Sequence, residues 1–137
     1  MKFTIPIEPV GQMRARSTAI GGHARTYKHA KQKAAEDRLL AFAVQHAPET
    51  PMDGPLEIVV DAYMPIPASM PKFRAEMARR GEIRPTTRPD VSNVLKHVED
   101  VFNGIFWKDD KQVVSAMCRK FYSDRPRYEI TITEQSE

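Results

Sequence analysis

The sequence predicts an α/β (α+β) fold: one mixed β-sheet of about four strands with two main helices packed on it. Three observations point there. Residues 2–10 and 127–133 alternate apolar and polar side chains, the period of a half-buried strand. Residues 91–103 carry one apolar stripe at helical spacing, and prolines and glycines punctuate the chain between such segments. At 137 residues the chain lies in the size range of one domain, so 1–137 is read as a single domain.

In chain order, Phe3, Ile5 and Ile7 make a first strand until Pro6 and Pro9 end it, and Pro6 favours an edge position. Residues 11–25 read as a long basic loop around Gly21-Gly22. From 28 to about 46, Ala34, Ala35, Leu39, Phe42 and Ala43 suit an amphipathic helix, stopped by Pro48 and Pro51. Residues 56–64, with Ile58, Val59 and Val60 in series, suit a central strand. Prolines at 65, 67, 71, 85 and 89 mark an excursion over the surface, with a helix-compatible piece at 72–80. In the helix at 91–103, Val91, Val94, Leu95, Val98, Val101 and Phe102 form the apolar stripe, and Asn103-Gly104 supplies the stop. Asn93, Lys96, His97 and Asp100 are assigned to the opposite face. A loop at 105–111 leads to a strand at 112–122, and a turn at 123–126 joins it to the last strand.

Net charge is +3, too small a bias to identify a partner by itself. Its distribution is more informative. No acid occurs between Pro9 and Ala35, where Arg14, Arg16, Arg25, Lys28, Lys31 and Lys33 gather, and Lys72, Arg74, Arg79, Arg80, Arg84 and Arg88 form a second basic stretch. Such clusters suit a phosphate backbone, or simply a solvated basic surface. The lone Cys118 has no intrachain partner and reads as a core thiol in a reducing compartment. No segment has the pattern of a secretory leader or the length of a membrane span, so a cytoplasmic protein is expected.

Asp90 precedes the strong helix, and Asp109-Asp110 follows it in a loop entering a strand. If the chain path brings them together, their carboxylates are the hard oxygen ligands Mg²⁺ uses. Each has a plainer role as well. Asp90 suits an N-cap accepting the amide of Ser92 or Asn93, which residue chemistry alone favours; Lys108 to Lys111 suits a polar turn; Lys96 suits a solvated helix face paired with Asp100. The four histidines lack the spacing of a zinc site, and neither a glycine-rich phosphate loop nor a nucleophile elbow occurs.

The stretch 88–114, Arg-Pro-Asp-Val-Ser-Asn-Val-Leu-Lys-His-Val-Glu-Asp-Val-Phe-Asn-Gly-Ile-Phe-Trp-Lys-Asp-Asp-Lys-Gln-Val-Val, resembles the signature of the RusA family of Holliday junction resolvases. That signature runs Pro-Asp-x-Asp-Asn-x-x-Lys, a helix ending Asp-x-x-Asn-Gly, then Asp-Asp-x-Gln-Val. Asp90, Asn93, Lys96, Asp100, Asn103, Gly104, Asp109, Asp110, Gln112 and Val113 match in order and spacing. The resemblance implies a RusA-like, Mg²⁺-dependent endodeoxyribonuclease, with Mn²⁺ as an alternative ion, that resolves branched DNA as a homodimer in recombination and repair. It implies catalytic Asp90, Lys96 and Asp110, a metal held by Asp90 and Asp110 with Asp109 and Ser92 nearby, and DNA contacts from Arg14, Arg16, Arg25, Lys28, Lys31, Arg88 and Asn93. Ser92 stands where the family has a third aspartate. A hydroxyl does not replace that charge, so the alternative is a dimer that binds junctions without cutting them.

Overall fold

The computed structural model of the protein describes residues 1–12 and 22–135, with nothing described of the side chains of 22–29. Four strands, β1 (Lys2–Ile5), β2 (Leu56–Pro65), β3 (Val113–Ser123) and β4 (Arg127–Glu134), form one sheet in the order β1-β4-β2-β3. β4 runs antiparallel to both β1 and β2, whereas β2 and β3 are parallel, so the sheet is mixed, as the sequence predicts. A parallel pair needs a crossover, and the excursion after β2 supplies it with α2 (Lys72–Arg79) and α3 (Val91–Phe102). The remaining helix, α1 (Gly22–Ala43), continues into a 3-10 turn at Val44–His46.

The expected boundaries shift where local chemistry is ambiguous. β1 stops at Ile5, because Pro6 has no amide to extend the ladder, and β1 lies at the sheet edge as that proline suggested. α1 begins at Gly22, so residues 22–25, expected to be loop, are helical; few apolar residues stand there for a periodicity to register. The rest of the expected basic loop, 13–21, lies outside the described residues.

One face of the sheet carries the core. Leu56, Ile58, Val60 and Ala62 of β2, Tyr128, Ile130 and Ile132 of β4, and Phe3 and Ile5 of β1 are all buried by strand alternation. Against them pack Leu39 and Ala43 of α1 and Val94, Val98, Val101 and Phe102 of α3. Phe106 stacks on Phe102 with ring centroids 4.2 Å apart and belongs to the same core. The other face is polar and laced with arginines: Arg119 grips Asp61 through two nitrogens at 2.7 and 2.9 Å, and the Arg127 guanidinium lies 3.8 Å from the Tyr63 ring centroid.

The direction of α3 decides where the acidic residues stand. Its first turn lies at the finishing end of β2 and β3, where Pro89 lines a cleft with Met64, Pro65 and Tyr122. Its last turn leads to residues 105–108, which bond to the segment entering β2: Met52 N donates to Phe106 O at 2.8 Å, and Lys108 N donates to Met52 O. α3 therefore runs antiparallel to both strands.

The N-terminal segment is fastened to the start of α3. Gln12 N donates to Asn93 O at 2.9 Å, and a Cβ on Gly11 would fall 3.0 Å from Pro89 Cβ and 3.1 Å from Asn93 Cβ. A branched side chain at Gly11 must push this contact apart. Gly11→Val should cost about 1–3 kcal/mol, read as a lower denaturant midpoint with an unchanged slope; a midpoint equal to wild type would mean that the contact yields freely.

Candidate active site

Asp90 is extended at φ −71° and ψ 147° and stands at the N-cap of α3, yet its carboxylate accepts no capping hydrogen bond. The capping role that residue chemistry favoured is thus replaced by a backbone arrangement: Asp90 O accepts from Asn93 N and Val94 N at 3.1 and 3.0 Å. The side chain is exposed and left free of the cap, at the positive end of a helix dipole. Ser92 and Lys96, four residues apart, share the solvent-facing side of α3. Lys96 is 65% exposed, with Asp100 Oδ1 3.6 Å from its Nζ.

The doublet after the helix divides its labour. Asp109 caps the 3-10 turn at Asp110–Gln112: its side chain accepts from Lys111 N at 3.0 Å, and its own amide donates to Gln112 Oε1 at 2.8 Å. Gln112 Nε2 in turn donates to Met52 O and Gly54 O, which pins the turn to the segment entering β2. Asp110 instead accepts from the fully buried Trp107 Nε1 at 2.8 Å and stays half-exposed. Beside it lies Glu99, a residue that the sequence pattern does not single out. Burial pushes the Glu99 carboxyl above its ordinary value, the negative charges of Asp110 and Asp100 add to that, and Lys96 opposes it.

Asp90 and Asp110 therefore occupy opposite ends of α3. The helix rises about 14 Å between Asp90 and Glu99, the residue whose carboxyl feels the charge of Asp110. The chain does not double back to bring the doublet to Asp90, because β3 starts at the far end of the helix. Among the described residues, no group of three or more acids, histidines or cysteines stands close enough together to hold a metal ion. Within one chain, the donor set does not fit a closed metal centre.

His97 is a second correction, since it is fully buried rather than on the polar face. Its Nδ1 lies 3.1 Å from Gln12 Oε1, which also accepts from Gln32 Nε2 at 2.6 Å, and Gln32 Nε2 reaches Glu36 Oε1 at 2.9 Å. This polar cluster joins α1, α3 and the residue that leads into the basic segment. His97 Nε2 has no partner among the described residues. Cys118, half-buried on β3, has its thiol pushed up to about 11 by burial, so it is protonated and unreactive at neutral pH.

Of the residues assigned to DNA, Arg14 and Arg16 and the side chains of Arg25 and Lys28 lie outside the described residues. Lys31 is exposed on α1, Arg88 is exposed two residues before Asp90, and Asn93 is half-buried in the first turn of α3.

A family model described as Endodeoxyribonuclease RusA matches residues 6–133, which includes the whole of α3 and the turn that carries Asp110. The chain belongs to the RusA family. It is 42% identical over 138 residues to the uncharacterized protein YqaN of Bacillus subtilis (strain 168), covering 99% of this chain and 97% of that one. A stretch of 50 residues is 36% identical to the crossover junction endodeoxyribonuclease rusA of Lactococcus phage r1t, covering 36% of this chain and 38% of the phage protein. RusA membership makes this chain one of a family of endodeoxyribonucleases. No helix among its described residues is long and apolar enough to cross a membrane.

Burial holds the His97 imidazole below its ordinary pKa, and Glu36 of α1 and Asp100 of α3 oppose this only in part. The neutral ring is the folded form, so its contribution is intact above pH about 6.5. Below that pH the unfolded chain takes up a proton that the folded chain resists, and stability falls as acidity rises. Denaturant midpoints at pH 7.5 and 5.5 should diverge in the wild type and diverge less in His97→Leu; the same divergence in both would place the effect elsewhere.

Proposed function

We propose that the chain is a Mg²⁺-dependent endodeoxyribonuclease that resolves Holliday junctions and related branched DNA by paired nicks, acting as a homodimer in the cytoplasm. What carries this reading is the RusA family match over residues 6–133; the assignment of Asp90, Lys96 and Asp110 rests on the resemblance of residues 88–114 to the family signature. A bound Mg²⁺ supplies a Lewis acid for the phosphate and a hydroxide-like nucleophile. Asp90 and Asp110 would hold it, with Ser92 beside Asp90 and Asp109 keeping the turn that presents Asp110. Lys96 sets its ammonium against the charge that grows on the phosphate, and Asp100 steadies it.

The placement of the two aspartates favours a two-fold pair. Antiparallel association of two α3 helices sets the first turn of each against the last turn of the other, so that Asp90 of one copy meets Asp110 of the other. β3 lies at the edge of the sheet, with Val114 64% and Met117 51% exposed, a surface that a second copy can cover. A two-fold unit also matches the approximate symmetry of a four-way junction and presents one site to each of two strands.

A synthetic four-way junction tests the activity. Paired nicks should appear with Mg²⁺, vanish with EDTA and fall at least about a hundred-fold in Asp90→Asn; no nicks from the wild type would leave the second reading, a junction-binding dimer disarmed by Ser92. In that case Ser92→Asp should switch cutting on, while salt-sensitive junction binding is already present in the wild type.

Mixing two dead variants tests the shared site. If each site draws one aspartate from each protomer, an Asp90→Asn chain paired with an Asp110→Asn chain has one doubly damaged site and one intact site. Single nicks should then return on mixing and refolding together. Continued silence of the mixture, with dimers formed, would place both aspartates of a site in one chain.

A further inference from the structure

α2 belongs to the excursion between β2 and α3 and is firmly seated. Ala75 and Ala78 are buried beneath it, Arg79 Nε donates to Asp124 Oδ2 at 2.8 Å, and Arg79 also pairs with Glu76 at 3.3 Å. Just beyond it, Arg84 Nε donates to Lys120 O at 2.8 Å while its guanidinium lies 4.3 Å over the Phe121 ring. Lys120 Nζ then donates to Thr87 O at 2.7 Å, three residues before Asp90. A chain of contacts thus fixes α2 to the end of the sheet at which Asp90 stands.

The outer face of this helix is unusual. Phe73 is 70% exposed, the most exposed of the large apolar side chains among the described residues. Helical geometry sets it roughly opposite Ala75 and Ala78, with Lys72 and Arg74 about 100° to either side. Lone apolar residues on a surface are common. A ring aimed straight outward between two exposed cations is a narrower pattern, and the nearby acid Glu76 is already tied to Arg79. Cations beside an exposed aromatic suit a partner that is polyanionic and carries flat apolar faces, which is what nucleic acid offers where bases leave their stack. An anionic membrane would also take a ring beside cations, but an eight-residue helix whose Ala75 and Ala78 are already buried offers it little apolar area beyond one ring.

We propose that α2 is a branch-point docking element, with Phe73 stacking on a base unstacked at the crossover and Lys72 and Arg74 holding the flanking phosphates. This rests on the reading of the chain as a nuclease of branched DNA. It adds a means of telling a junction from a plain duplex that is separate from the acidic site, since a duplex exposes no base face to the ring.

A four-way junction carrying 2-aminopurine at the branch point tests it, with Ca²⁺ in place of Mg²⁺ so that binding is read without cutting. The probe should brighten on binding wild-type protein as its base leaves the stack. Phe73→Ala should abolish the brightening and weaken junction binding about ten-fold or more, with duplex binding unchanged, and Phe73→Trp should retain both. Because Phe73 is exposed, the variants should keep the wild-type circular dichroism and melting. Wild-type brightening and affinity in Phe73→Ala would overturn this inference and leave the nuclease reading untouched. So would a sedimentation shift from dimer to monomer in that variant, which would give the ring to a protein interface. Wild-type protein that fails to bind junctions would overturn the nuclease reading and this inference with it.

Discussion

The apolar stripe of α3 is the constraint on which the other elements depend. Val94, Val98, Val101 and Phe102 are sunk into the sheet face, so the helix cannot roll, and its direction is set by the crossover that makes β2 and β3 parallel. Lys96 is thereby turned outward and His97 inward. The same packing holds Asp90 and Asp110 at the two ends of a rod that spans about 18 Å over its 12 residues.

How much of this was legible depended on how local the cause was. Strands and α3 could be read because alternation and the helical stripe are burial written into residue order; β2 was recognisable as central from Ile58, Val59 and Val60, and Pro6 marked an edge. The start of α1 could not be read, since its first residues carry charge and little apolar pattern. The doublet Asp109-Asp110 shows a different limit. Two identical side chains in one polar turn differ only in what the fold brings to each, a neighbouring amide for one and the Trp107 indole for the other. Period alone also misplaced His97: it lies at the border of the polar face, and only the approach of Gln12 and α1 buries it.

Electrostatics sharpen the contrast between the ends of α3. At one end a carboxylate that caps nothing sits on a helix N-terminus. At the other, half-buried Glu99 is pushed towards its neutral form by burial, and the charges of Asp110 and Asp100 add to this. Lys96, paired with Asp100, opposes that push in part. The family motif spans both ends because one helix connects them.

The sheet order has a consequence for biosynthesis. β4, which is made after β1, β2 and β3, lies between β1 and β2 and bonds to both. Until residues 127–134 emerge, the first strand has no neighbour to join, and the surface on which α3 lies lacks Tyr128, Ile130 and Ile132. Contacts this distant in sequence form late, after the long loop between them has closed. The segment that carries Asp90 and Asp110 is therefore made before the sheet that fixes its place is complete.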